Sequence, residues 1–246
     1  MRKHTTHVSW QSKQLYRVSE MLRRYGKPVL IDECRYEGNL PEFWGNLSGQ
    51  DMVRSFWRVT AQGGYCTHGE TYLPGTEMGD RATATGEEDV VWWAKGGRLN
   101  GESPARIAFL RQIVSELPGP LEPLDDGLGK IFGLSDAEFG EVLRQMPAEA
   151  SLLYGAITAM DQRERDFFFS VEFSYSGHCG DEAYLYYKDD QCCACAELML
   201  PEDGAYRVEV IDTWEMTRET VLRGAKGKVS VNMPGKPYLA VLALRE

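Results

Sequence analysis

The chain has 246 residues, 43% of them hydrophobic and 26% charged, a globular balance that excludes a disordered or low-complexity protein. Its 27 Lys and Arg stand against 37 Asp and Glu, a formal charge of −10 with no basic run to offset it, so nucleic acid is not an expected partner. No apolar stretch reaches the ~20 residues of a membrane helix and the first residues lead into no apolar signal core, so a cytoplasmic protein with no membrane partner is expected.

In chain order, Leu15, Val18, Leu22 and Tyr25 fall at i, i+3, i+7 and i+10, the stripe of an amphipathic helix that Gly26 stops. Val29-Leu30-Ile31 is a short continuous apolar run, suited to a strand buried on both faces of a parallel sheet. A polar loop rich in Gly, Asn and aromatics spans 32–49. Ser48 and Asp51 have capping-box spacing ahead of Met52, Val53, Phe56, Trp57 and Thr60, which repeat at helical period. Gly63-Gly64 ends that helix, Tyr65-Cys66-Thr67 reads as the next strand, and 73–102 is a long loop carrying Trp92-Trp93. Ser103-Pro104 opens a third helix with Ile107, Leu110, Val114 and Leu117 on one face.

After a Pro/Gly/Asp linker at 118–129 and a short helix at 135–145, the period drops to two: Phe167, Phe169, Val171, Phe173 and Tyr175 alternate with other residues. Further strands are expected at 183–187, 193–200, 206–211, 228–232 and 238–244, separated by turn residues, as in an antiparallel β-sandwich. The chain thus divides into an α/β portion at 1–128 and an all-β portion at 129–246.

Six cysteines, at 34, 66, 179, 192, 193 and 195, include three within four residues, a poor layout for a disulfide framework and suited to free thiols in a reducing compartment. A zinc site of His178, Cys179, Cys193 and Cys195 is the alternative, but it lacks paired C-x₂-C spacing.

Two acidic groups stand where strands end: Asp32-Glu33 after the Val29 run, and His68-Gly-Glu70 after Tyr65-Cys-Thr. In β/α barrels that end of the strands carries the active site, and a carboxylate there serves glycoside cleavage as nucleophile or acid/base. The plainer alternative is a loop acid that caps a helix or pairs with Arg35. Tyr36, Phe43, Trp44, Trp92 and Trp93 offer rings for the C–H faces of sugars, or else fill a second core beneath long loops. Asn39, Asn46, His68, Glu70 and Lys95 offer hydroxyl partners.

The stretches KPVLIDECRYEGNLPEFWGNLSGQ at 27–50, GGYCTHGETY at 63–72, WWAKGG at 92–97 and GESPARIAFLR at 101–111 resemble bacterial glycoside hydrolases of the clan A barrel type, similar to family 5 and to apiosidase-like proteins. YRVEVIDTWEMT at 206–217 is similar to the C-terminal β domain of unknown function that those proteins carry. The resemblance implies a partial (β/α) barrel, the last strands and helices of a TIM barrel, followed by the β-sandwich. It implies that Glu33 ends the seventh barrel strand as the catalytic nucleophile of a retaining enzyme. His68 and Glu70, after the eighth strand, would line the sugar subsite with Arg35, Tyr36, Trp44, Trp92, Trp93 and Lys95, and His7, placed by Thr6-His7-Val8 at the end of the sixth strand, would face the same pocket. Strands one to five and the acid/base glutamate have no place in this chain. The expectation is therefore an O-glycosyl hydrolase or its C-terminal fragment, inactive alone, with a carbohydrate as substrate and no metal or organic cofactor. Its open side would associate with a second copy or an N-terminal barrel half. The alternative is a non-catalytic carbohydrate-binding or interaction module.

Overall fold

Val29 and Ile31 are fully buried, and their run forms β2 (Val29–Glu33), the middle strand of a three-stranded parallel sheet. Its neighbours are β1 (Val8–Gln11) and β4 (Tyr65–Cys66). The computed structural model describes residues 4–72, 99–124, 136–161, 163–164, 167–168 and 175–246. Parallel strands need crossovers, and helices supply them. A 3₁₀ turn (Leu15–Arg17) runs into α1 (Val18–Tyr25) between β1 and β2, and α2 (Gly49–Ala61) lies between β2 and β4. The Ser48 side chain accepts the Asp51 N–H at 3.1 Å, the N-cap that its spacing predicts. Met52, Val53, Phe56 and Trp57 form the buried stripe of α2, and α3 (Ser103–Ser115), with Pro104 in its first turn, packs beside it.

Two residues each from the loops after β2 and β4 pair in parallel as β3 (Glu37–Gly38) and β5 (Glu70–Thr71), which sets Glu37 opposite Glu70. The chain then enters a second sheet at β6 (Glu122–Pro123) and forms a helical pair, α4 (Asp136–Gln145) and α5 (Ala148–Ala159). Phe167 and Phe168 are helical, so the period-two strand expected from 167 does not start there; its members Phe169, Val171 and Phe173 lie outside the described residues. The alternation misled because Phe168 packs against the core while Phe167 stays exposed.

Among the described residues the second sheet has six antiparallel strands in the order β11-β10-β13-β8-β7-β6. They are β7 (Tyr175–Cys179), β8 (Ala183–Tyr187), β10 (Tyr206–Asp212), β11 (Thr217–Ala225) and β13 (Leu239–Arg245), with β6 at one edge. A ribbon of β9 (Cys195–Met199) and β12 (Lys228–Asn232) covers one face, where Leu198 and Val231 meet Tyr184, Tyr206, Val208 and Val241. The opposite face presents Tyr175, Leu185, Tyr187 and Leu242 to the core of the α/β portion. Burial on both faces explains the unbroken apolar run of β13, which departs from the one-face alternation of an ordinary antiparallel strand.

The two portions share a core. The indole of Trp57, fully buried on α2, stacks on Tyr187 with ring centroids 5.5 Å apart. Above this stack Arg54 and Arg58 of α2 converge on Asp189, with Arg54 Nε at 2.6 Å and Arg58 Nε at 3.0 Å from its carboxylate. No helix among the described residues is long and apolar enough to cross a membrane.

Candidate functional site at the strand ends

The parallel register places Gln11, Glu33 and Thr67 together at the C-terminal end of the three-stranded sheet. Trp10 pairs with Ile31, but Gln11 pairs with Glu33, so the register slips by one residue at Asp32. Such a bulge re-aims side chains at a strand end. Asp32 ties the strands together: its carboxylate accepts from the Ser9 hydroxyl of β1, and its carbonyl accepts from the Thr67 hydroxyl that follows β4. Glu33 stands exposed at the end of the middle strand. The Tyr36 phenol lies near it; burial first, then the Glu33 anion, pushes that phenol up to about 12.

The 35–46 loop that follows is braced from within. Arg35 adopts a left-handed backbone (φ 89°), and its guanidinium donates to the Phe43 carbonyl at 2.6 Å and to Asn46 Oδ1 at 3.0 Å. Tyr36 and Trp44 meet edge to face with centroids 6.3 Å apart. Phe43 is 64% exposed, and the Lys13 ammonium sits 4.5 Å from the centre of its ring. Arg35 therefore shapes the loop that carries the exposed Phe43 ring and the half-buried Tyr36 and Trp44. Its donors point back into that loop.

His7 requires a correction. It precedes β1, whose first residue Val8 pairs with Val29 and donates to the Pro28 carbonyl at 2.8 Å. That is the N-terminal end of the sheet, opposite Glu33, so His7 does not share the pocket expected for it. A four-residue strand in which only Val8 and Trp10 are apolar does not announce where it begins. The register shows that β1 delivers Gln11 to the mouth, with Lys13 just beyond it.

His68 and Glu70 occupy a second centre, around the buried carboxylate of Glu37, which is 1% exposed. Glu37 accepts the backbone N–H groups of Glu102 (2.7 Å) and Ser103 (3.0 Å), the Tyr72 hydroxyl (3.0 Å) and the Ser103 hydroxyl. Glu70 accepts the N–H groups of Asn100 (2.6 Å) and Gly101 (2.8 Å). The two acids thus bind the four amides that lead into α3, where the positive end of the helix dipole favours negative charge. Gly101 is required there, since a Cβ at that position would collide with the Glu37 carboxylate. Burial raises the Glu70 pKa, the two amide bonds oppose that shift, and the Glu37 charge adds to it.

The Ser103 hydroxyl gives its proton to Glu37, so His68 Nε2, at 3.0 Å from Ser103 Oγ, must carry a proton and donate. Burial lowers the His68 pKa, with Glu37 opposing, which keeps the ring neutral. The donor atoms of Glu37, His68 and Glu70 lie within 4.8 Å of one another, close enough for a cation. The carboxylates are already committed to amide and hydroxyl donors, however, which identifies the cluster as an anchor for the start of α3. Sequence reasoning counts Glu37, with Asp32 and Glu70, only as a local candidate for the second carboxyl beside Glu33; its anchoring role rests on amides 65 and 66 residues away in the chain.

The cysteine-rich segment shows no convergence on zinc. Cys179 Sγ donates to the Gly119 carbonyl at 3.1 Å, whereas Cys195 contacts the Ser230 hydroxyl at 2.9 Å on the ribbon. Trp92, Trp93 and Lys95 lie outside the described residues.

The same architecture occurs in solved structures. A candidate glycoside hydrolase from Bacteroides vulgatus ATCC 8482 aligns with 99% of this chain at a TM-score of 0.67 and 25% identity, and the match covers 42% of that protein. A structure described as a glycoside hydrolase aligns over 94% of this chain at a TM-score of 0.55 and 11% identity, covering 46% of its own length. A family 5 glycoside hydrolase from Bacteroides vulgatus ATCC 8482 aligns over 89% at a TM-score of 0.50 and 13% identity, covering 42% of its own length. The chain therefore spans less than half the length of the structures it matches. Residues 172–243 match the family described as a domain of unknown function, DUF5605. No curated protein matches the chain. The α/β and β portions together have a glycoside hydrolase-like fold.

Proposed function

We propose that this chain is the C-terminal portion of a retaining O-glycoside hydrolase. In this reading β1, β2 and β4 are the last three strands of a (β/α)₈ barrel, and Glu33 is the nucleophile. The observation that carries it is the exposed Glu33 carboxylate at the C-terminal end of the middle parallel strand, with the Tyr36 phenol near it. A Glu33 oxygen would attack the anomeric carbon as the bond to the leaving oxygen breaks, and water would then hydrolyse the glycosyl ester. Phe43 and Trp44 would supply stacking surface for the sugar, and Gln11 would supply a hydroxyl partner.

The general acid would come from outside the chain. Glu37 and Glu70, the nearby carboxylates, are held by donors at the start of α3. The outer edges of β1 and β4 have no partner strand among the described residues, and such edges pair readily with another chain. An N-terminal barrel half, or a second copy, is the proposed occupant. The chain alone would leave ordinary glycosides intact. It would slowly release dinitrophenolate from activated aryl glycosides, because that leaving group departs without protonation. Glu33→Gln should abolish this release; equal release by wild type and Glu33→Gln would overturn the nucleophile assignment.

A further inference from the structure

Two thiols meet directly behind Glu33. Cys34 follows it in the chain and is 4% exposed, and Cys66 ends β4, the adjacent strand. The parallel pairing of Ile31 with Cys66 brings these strand ends side by side, and the Cys66 thiol donates to Cys34 Sγ across 3.5 Å. Cys66 also lines a groove of about 530 Å³ between α2, α3 and the free edge of β4, walled by Phe56, Ile107, Leu110 and Val114. The groove therefore brings a small reagent as far as Cys66, whose thiol meets Cys34. The other thiols have different surroundings: Cys179 donates to the carbonyls of Gly119 and Pro120, Cys193 to Gln191, and Cys195 meets Ser230.

We propose that Cys34 and Cys66 form an oxidisable dithiol site, converted by small peroxides into a disulfide that joins β2 to β4 beneath Glu33. One thiolate attacks a peroxide oxygen, the O–O bond breaks, and the departing hydroxide takes up a proton to leave as water. The sulfenic acid so formed is attacked by the second sulfur, its S–O bond breaks, and a second water leaves. The two cysteines together lose two electrons and two protons, and hydrogen peroxide is reduced to two waters. The hydrogen bond from Cys66 holds the Cys34 thiol below its ordinary range against the opposing effect of burial, which favours the nucleophilic thiolate. A disulfide bond is about 2.05 Å long, so the sulfurs must approach by ~1.5 Å, which draws together the strand ends that carry Glu33 and Thr67-His68. The site stands whether or not the chain is a glycosidase.

The test is a peptide map of the folded, full chain after exposure to hydrogen peroxide at a few equivalents, quenching with iodoacetamide and digestion without reductant. The expected product is a Cys34–Cys66 linked peptide, two hydrogens lighter than the sum of its parts and abolished by dithiothreitol. It should form before any product of Cys192, Cys193 or Cys195, which lie on or beside the ribbon. The oxidised protein should also unfold at a higher temperature than the reduced one. Cys66→Ser should yield no linked peptide and should instead accumulate a sulfenic acid on Cys34 that a cyclic 1,3-dione traps. Recovery of Cys34 and Cys66 as alkylated thiols while the ribbon cysteines oxidise would overturn the proposal, as would linkage that appears only in denaturant. The wild-type map decides the matter even if Cys66→Ser does not fold.

Discussion

Replacing Glu37 by Gln tests whether the Glu37, His68 and Glu70 cluster anchors α3 or binds a cation. The carboxylate is buried and receives four donors, two of them the N–H and hydroxyl of Ser103 on Oε2. An amide of the same size keeps one acceptor oxygen and sets its NH₂ against donors at the other position. Hydrogen bonds to charged groups contribute about 1.5–3 kcal/mol each, and an anion at a partly buried helix start up to ~2 kcal/mol. These terms overlap, so a total loss of about 3–4 kcal/mol is expected. In a chain of this size that corresponds to a fall in Tm of roughly 6–16 °C. Urea unfolding followed by tryptophan fluorescence and by circular dichroism would give the loss directly, with the slope unchanged. A loss under ~1 kcal/mol would refute the anchoring role. So would a large rise in the wild-type midpoint on adding zinc or manganese that vanishes in Glu37→Gln, because the carboxylates would then be metal ligands.

Asp189→Asn should cost about 2–3 kcal/mol, less than the ~3–5 kcal/mol of breaking a fully buried ion pair, since Arg54 and Arg58 keep some contact with water. Asn tolerates the left-handed backbone at that position (φ 58°), so the substitution isolates the charge; urea unfolding within 0.5 kcal/mol of wild type would contradict the clamp. His68 supplies a pH dependence. Burial holds its folded pKa below the ordinary 6.5, so its contribution to stability is complete above that value. That contribution is lost as the pH falls from 6.5 through the lowered folded pKa, because the unfolded chain takes up the proton first. His68→Gln should flatten this part of the stability curve, and an unchanged slope between pH 7 and pH 5 would show that another group titrates there.

The sequence was most legible where local rules and tertiary burial agree. Val29-Leu30-Ile31 reads as a strand and is one, with Val29 and Ile31 fully buried and Leu30 on the other face half-buried, and Ser48 with Asp51 marks the start of α2 within one residue. The apolar strands of the β portion were legible for the same reason. β11 was not expected, because its run of Arg, Glu and Thr at the sheet edge shows no apolar alternation; charged edges of this kind discourage further pairing. The site was legible in part. Glu33 stands at the strand end that its position after the apolar run implies, whereas His7 lies at the opposite end because short strands do not reveal their first residue. The anchoring role of Glu37 could not be read from local spacing, since a buried acid in a glycine-rich loop gains its meaning from amides contributed by the start of α3. Arg35 and Glu70 are polar residues near a mouth, and only the folded geometry shows their atoms committed to the 35–46 loop and to the start of α3.

The central claim, that Glu33 is a glycosidase nucleophile, is tested most directly by covalent trapping. A panel of 2-deoxy-2-fluoroglycosides carrying a dinitrophenolate leaving group would be incubated with the chain and read by intact mass and peptide mapping. The leaving group needs no acid catalyst, and the fluorine slows hydrolysis of the glycosyl ester, so the product accumulates even without the acid/base half of a barrel. The account predicts one added sugar, esterified to Glu33 and absent from Glu33→Gln. A sugar attached to another carboxylate, equal labelling of Glu33→Gln, or no labelling by any member of the panel would contradict it.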